Sequence, residues 1–146
     1  MKKRTMKFLY SIAAALFLLL TAALPAEAAQ NWMQVYAHVE QMINKGVEQY
    51  NNGDLEGAKK IINDSYYGVY ENDGLEKAIR TTISSKNANL TEYQYSELKK
   101  AIRENRGKGA VRGEADKLLS MMKNDIESLD SKGAGGGRWT SFWPAF

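Results

Sequence analysis

The stretch Val35-Tyr36-Ala37-His38-Val39-Glu40-Gln41-Met42-Ile43-Asn44-Lys45-Gly46-Val47-Glu48-Gln49-Tyr50-Asn51-Asn52-Gly53-Asp54-Leu55 decides how this chain folds. Val35, Tyr36, Val39, Met42, Ile43, Val47 and Tyr50, with Trp32 just ahead of them, recur at steps of three and four residues. That spacing lines one side of an α-helix with apolar groups. Asn51-Asn52-Gly53 predicts the end of the helix, because Asn and Gly accept the left-handed backbone conformation that closes helices. Asp54 then offers a carboxylate to the free amides of a new first turn. A stripe, a stop and a restart in so short a stretch predict two consecutive helices folded back on one another.

Working outward, Leu55, Ala58, Ile61, Ile62, Tyr66, Val69 and Tyr70 form the apolar face of the second helix. Asp73-Gly74-Leu75-Glu76 has the spacing of a capping box and predicts a short third helix carrying Leu75, Ala78, Ile79 and Ile83. Ser84 to Asn89 reads as polar loop. Thr91-Glu92-Tyr93-Gln94 is a second capping box, opening a fourth helix through Tyr95, Leu98, Ala101 and Ile102. Arg106-Gly107-Lys108-Gly109 breaks the chain again, and Val111, Ala115, Leu118, Leu119, Met122, Ile126 and Leu129 stay in register along a fifth helix. The polar faces mix charges, as in Glu97 with Lys100 and Glu114 with Lys117, and read as solvated surface. No run alternates with a period of two. Helices joined by short loops pack as antiparallel neighbours, so the expected fold is all-α, an up-and-down bundle of four to five antiparallel helices.

The two ends of the chain differ from this middle. Met1 to Lys7 is cationic, Ile12 to Leu24 is largely apolar, Pro25 breaks the run, and Ala26-Glu27-Ala28 supplies small residues for cleavage. Residues 1–28 therefore read as a secretory signal peptide, which predicts export to the periplasm or the outer face of the cytoplasmic membrane. The formal charge of +3 belongs to this leader, where Lys2, Lys3, Arg4 and Lys7 face the single acid Glu27. The rest of the chain is balanced, which argues against nucleic acid as a partner. The bundle is expected over residues 29–130. Residues 131–146 combine a Gly-rich linker with an aromatic tail, whose Trp139, Phe142, Trp143 and Phe146 suit a membrane contact or mark a truncated or frameshifted end.

Little in the composition suggests chemistry. Cys is absent, which excludes disulfides and thiolate metal sites. His38 is the only histidine and sits at the edge of the first apolar stripe, as a partly exposed helix residue would. No nucleophile, base and orienting group can be assembled, so the chain is not expected to be an enzyme. Tyr66, Tyr67, Tyr70, Tyr93 and Tyr95 could offer phenol oxygens to ferric iron, but at helical spacing they read first as core. The acidic turn is the most suggestive feature: Glu71, Asp73 and Glu76 surround Gly74, where two helix ends meet. Capping and first-turn preference account for the same acids.

The segment Ala58-Lys59-Lys60-Ile61-Ile62-Asn63-Asp64-Ser65-Tyr66-Tyr67-Gly68-Val69-Tyr70-Glu71-Asn72-Asp73-Gly74-Leu75-Glu76 resembles the extracytoplasmic N-terminal domain of bacterial high-affinity iron permeases, the oxidase-dependent iron transporter family. That family's pattern is a helix of the A-K-x-x-V-N-D-A-Y-F type, an aromatic, and then E-x-x-G-x-E; Glu71, Gly74 and Glu76 fall on its last three fixed positions. Tyr66 and Tyr67 match the aromatic pair, and Glu92 to Lys100 is similar to the following E-Y-Q-F-x-x-(I/V)-K-K segment. The resemblance spans about residues 30–130. It lacks the R-E-G-L-E motifs of the family's membrane domain, so transport itself is not implied. What it implies is an accessory role in iron uptake. Iron, as a bound or transported ion, would be captured or presented to a membrane permease domain or other uptake component, with Glu71 and Glu76 as ligands and Asp73 and Asp64 as helpers. The competing expectation is an exported structural or protein-binding bundle with no metal role.

Overall fold

The computed structural model of the protein describes residues 31–133. The predicted signal peptide and the aromatic tail with Trp139, Phe142, Trp143 and Phe146 lie outside them. Five helices follow in order: α1 (Trp32–Asn51), α2 (Leu55–Asp64, running on as a π-helical segment, Ser65–Glu71), α3 (Leu75–Ala78, running on as π-helical Ile79–Ile83), α4 (Ser85–Arg103) and α5 (Lys108–Ser131). The fold is an all-α bundle, as the periodicity predicts. Among the described residues, no helix is long and apolar enough to cross a membrane.

The α1–α2 corner forms as its sequence dictates. Gly53 takes a left-handed φ of +88°. Its N–H donates to the Tyr50 carbonyl at 3.0 Å, and the Asp54 N–H donates to Gln49 at 2.9 Å, closing off α1. Asp54 Oδ1 then accepts from the Gly57 N–H at 2.8 Å and caps α2. The two helices approach closely: a Cβ added at Gly46 would lie 2.6 Å from Ile62 Cδ1, so any larger residue there requires the Ile62 side chain to shift.

Cross-helix contacts set the topology. Gly46 on α1 lies against Ala58 and Ile62 on α2. Tyr66 and Ser65 on α2 meet Tyr95 on α4. Gln94 and Asn87 on α4 bond Glu114 and Asp125 on α5. Tyr50 and Asn44 on α1 reach Gly107 and Arg112 at the start of α5. In the α4–α5 and α1–α5 pairings one residue number rises as the other falls, so these neighbours run antiparallel; α1 packed on α2 and α2 on α4 complete a ring, with α3 as a corner. The interior holds the predicted stripes: Val39, Ile43, Ala58, Ile62, Tyr70, Leu75, Ile79, Leu98, Ile102, Leu118, Met122, Ile126 and Leu129 are all fully buried.

Three local expectations need correction. The polar stretch from Ser84 to Asn89 is not a loop but the start of α4. Ser84 is the N-cap: its Oγ accepts from the Asn87 N–H at 3.1 Å and donates to Asn87 Oδ1 at 2.7 Å. Thr91-Glu92-Tyr93-Gln94 is accordingly helix interior; Thr91 is fully buried and the Gln94 amide donates to Glu114 at 2.6 Å. The start of α3 differs too. Gly74, at φ +80°, occupies the N-cap position of α3, and Glu76 turns to Arg80 instead. The surface pairs also differ, with Glu97 facing Arg106 at 3.9 Å and Glu114 accepting from Gln94.

Candidate functional site

Residues 72–74 join α2 to α3; the π-helical Ser65–Glu71 segment runs into that turn, and α3 leaves it as α-helix before turning π-helical at Ile79. Such widened turns recur at functional sites because they redirect side chains that an α-helix would space regularly. Here the Ser65–Glu71 segment turns Tyr70 into the core and leaves Tyr66 half-buried and Tyr67 59% exposed. Tyr66 packs edge-on against Tyr95 at 5.0 Å between ring centroids, and Tyr70 lies 5.6 Å from Tyr95. Tyr70 and Tyr95 are fully buried, as the reading of the tyrosines as core requires, whereas Tyr67 and Tyr93 are exposed and depart from it.

Three glutamates surround these rings. Burial, then a hydrogen bond to Glu71, then the charge of Glu92 push the Tyr66 phenol well above its ordinary value. Burial, then Tyr95, Glu76 and Glu92 do the same to Tyr70. Both phenols are therefore neutral at any physiological pH, and the negative charge at the site belongs to the carboxylates. Arg80 joins two of them: Nε lies 2.5 Å from Glu76 Oε1, Nη2 lies 2.6 Å from Glu92 Oε1, and Nη1 donates to Asn89 Oδ1 at 3.0 Å.

The four acids singled out in the sequence are thus differently engaged. Glu71 is exposed beside Tyr66, and Glu76 is half-buried against Arg80. Asp73 is half-buried in the turn, and Asp64 is exposed and paired with Lys60 Nζ at 2.5 Å. Among the described residues, no three His, Asp or Glu side chains lie close enough to hold one metal ion. Glu71 and Glu76 do flank the same tyrosine pair, whereas Asp64 is occupied within its own helix.

The chain matches no protein-family model, no curated protein and no solved structure. The likeness to the iron permeases rests on the motif residues alone. Two residues of the site went unmarked in the sequence, Arg80 and Glu92. Arg80 lies four residues after Glu76, a spacing that favours an ion pair on one helix. Glu92 was hidden by its place inside an apparent capping box. Chemically, the site offers hard oxygen donors on a buried aromatic base, with a guanidinium between two of the carboxylates.

Proposed function

We propose that this protein serves iron uptake outside the cytoplasm, as an accessory domain that captures iron or presents it to a membrane permease, without transporting it. The observation that carries the proposal is that Glu71 and Glu92 act on Tyr66, and Glu76 and Glu92 on Tyr70, at residues that resemble the iron permeases' extracytoplasmic motif. Carboxylate oxygens suit a hard cation such as ferric iron. Because Arg80 already bridges Glu76 and Glu92, iron competes with a guanidinium for them. The site is therefore a weak and exchangeable one, as presentation to a partner requires.

Calorimetric titration with ferrous iron under nitrogen, and with ferric iron as its acetate complex, tests this. Binding in the micromolar range is expected, with loss of at least tenfold in a Glu71→Gln/Glu76→Gln variant. Arg80→Met, which frees Glu76 and Glu92, is expected to tighten binding several-fold. No heat of binding in any of these proteins would overturn the proposal. A protein-binding role is the second reading, favoured by Tyr67, Leu90 and Tyr93, which are 59%, 45% and 60% exposed; it gains if iron is ignored.

A further inference from the structure

Away from the acidic turn, α2 and α4 enclose a surface groove of about 460 Å³ lined by Lys59, Asn63, Ser96, Glu97, Lys99, Lys100 and Arg103. Four cations face one carboxylate there. Residues 31–133 contain 15 Lys and Arg against 16 Asp and Glu, so the concentration of positive charge is local and not a reflection of a basic chain. Lys59, Lys99 and Lys100 are half-buried, which lays their aliphatic stems along the groove walls. Helix geometry explains the convergence: Ser96, Lys99, Lys100 and Arg103 follow at i, i+3, i+4 and i+7 along one face of α4, and Lys59 and Asn63 face them at i and i+4 from α2.

The usual partners do not neutralise this cluster. Lys59 meets only Glu56, at 2.7 Å, whose side chain is 85% exposed, and such a surface pair holds little energy. The Lys99 ammonium lies over the Tyr66 and Tyr67 rings at 5.0 and 5.7 Å. Among the described residues, Lys100 and Arg103 have no carboxylate within ion-pair distance; Glu104, next along the chain, is taken by Arg106 at 2.6 Å. Glu97 in the groove faces Arg106 at 3.9 Å. A helix C-terminus accounts for cations in its last turn, which covers Lys100 and Arg103 but neither Lys59 on α2 nor Lys99.

We propose that this groove binds a small polyanion bearing at least two carboxylate or phosphate groups, held by Lys59, Lys99, Lys100 and Arg103 with Asn63 and Ser96 as neutral donors. The volume is that of a small-molecule site and exceeds what a single oxyanion fills. Arg103 and the lysines supply charge-assisted hydrogen bonds to such groups. The proposal stands independently of iron, since it uses none of Glu71, Glu76 or Glu92.

The test is calorimetric titration of the purified protein at low salt with citrate and, separately, with inorganic pyrophosphate. Saturable one-to-one binding with a Kd below about 1 mM is expected for one or both; which one binds tells carboxylate from phosphate. Lys100→Gln/Arg103→Gln is expected to weaken it at least tenfold, as loss of two charge-assisted bonds implies. Lys59→Gln, on the opposite wall, is expected to weaken it several-fold. Lys86→Gln/Lys123→Gln, which removes two exposed charges elsewhere, is expected to leave it unchanged. No saturation with either anion, or an equal loss in the control pair, would overturn the proposal. So would binding confined to phosphatidylglycerol vesicles, which would make the groove a membrane-facing patch.

Discussion

Tyr70 carries a hydroxyl that is fully buried and has no hydrogen-bond partner. Its ring contributes to the core through Tyr66 and Tyr95, at 5.8 and 5.6 Å, and that contribution survives loss of the oxygen. An unsatisfied buried hydroxyl costs about 1–3 kcal/mol, so Tyr70→Phe is expected to stabilise the bundle by roughly 1–2 kcal/mol in urea unfolding. A loss of stability would instead show that a buried water serves the hydroxyl. Tyr50 is the contrasting case. Its hydroxyl donates to Asn105 Oδ1 at 2.7 Å and accepts from the Gly107 N–H at 2.9 Å, tying the end of α1 to the α4–α5 turn. Both tyrosines read from the sequence as core, and both are core. The fate of each hydroxyl was not legible, because it depends on residues more than fifty positions away for Tyr50 and on the π-helical turn for Tyr70.

At the level of the element, local signals held where the chain itself is the partner and failed where another helix competed for the same side chain. Gly53 and Asp54 act on their own neighbours, and the corner they predict is the one that forms. Thr91 and Gln94 have capping spacing, yet packing against α5 claims both, while Ser84 and Asn87 do the capping two turns earlier. The acidic turn suffered in the same way: 3.6-residue periodicity assumed throughout hides the π-helical segments and the reach of Arg80 to Glu92, although Glu71, Glu76 and the Glu76–Arg80 spacing were legible. The reassigned α4 start is directly testable. Ser84→Ala should cost about 1 kcal/mol, the usual value for a lost N-cap. Thr91→Ser, which keeps the hydroxyl that a cap would need, should also destabilise, through the buried methyl it removes. If Thr91 were the cap, Ser84→Ala would leave the midpoint of thermal unfolding unmoved.

For the whole molecule, the response to pH turns on one residue of the interior. Asp125 on α5 is 5% exposed and, among the described residues, meets no cation; the Asn87 amide donates to it at 2.6 Å, and the Thr91 hydroxyl lies nearby. Burial holds its carboxyl above the ordinary value of 3.8, against the opposing pull of Asn87 and Thr91. On the facing elements lie the Tyr70 phenol and Glu76 and Glu92, the two carboxylates already paired with Arg80. A proton is thus held more tightly by the folded chain than by the unfolded one, and the stability due to Asp125 is present below pH 3.8 and falls as pH rises through the higher folded value. The ion pairs that lower Asp116 and Glu104 act in the opposite sense, but both groups are exposed and contribute little. Asp125→Asn keeps an acceptor for the Asn87 amide while removing the buried charge. It should therefore match the parent protein in thermal melts at pH 3 and exceed it at pH 7 by on the order of 1 kcal/mol, roughly 5 °C for a domain of about 100 residues. A difference independent of pH would mean that Asp125 stays ionised in both states, and that the interior of the ring between α4 and α5 is wetter than its burial implies.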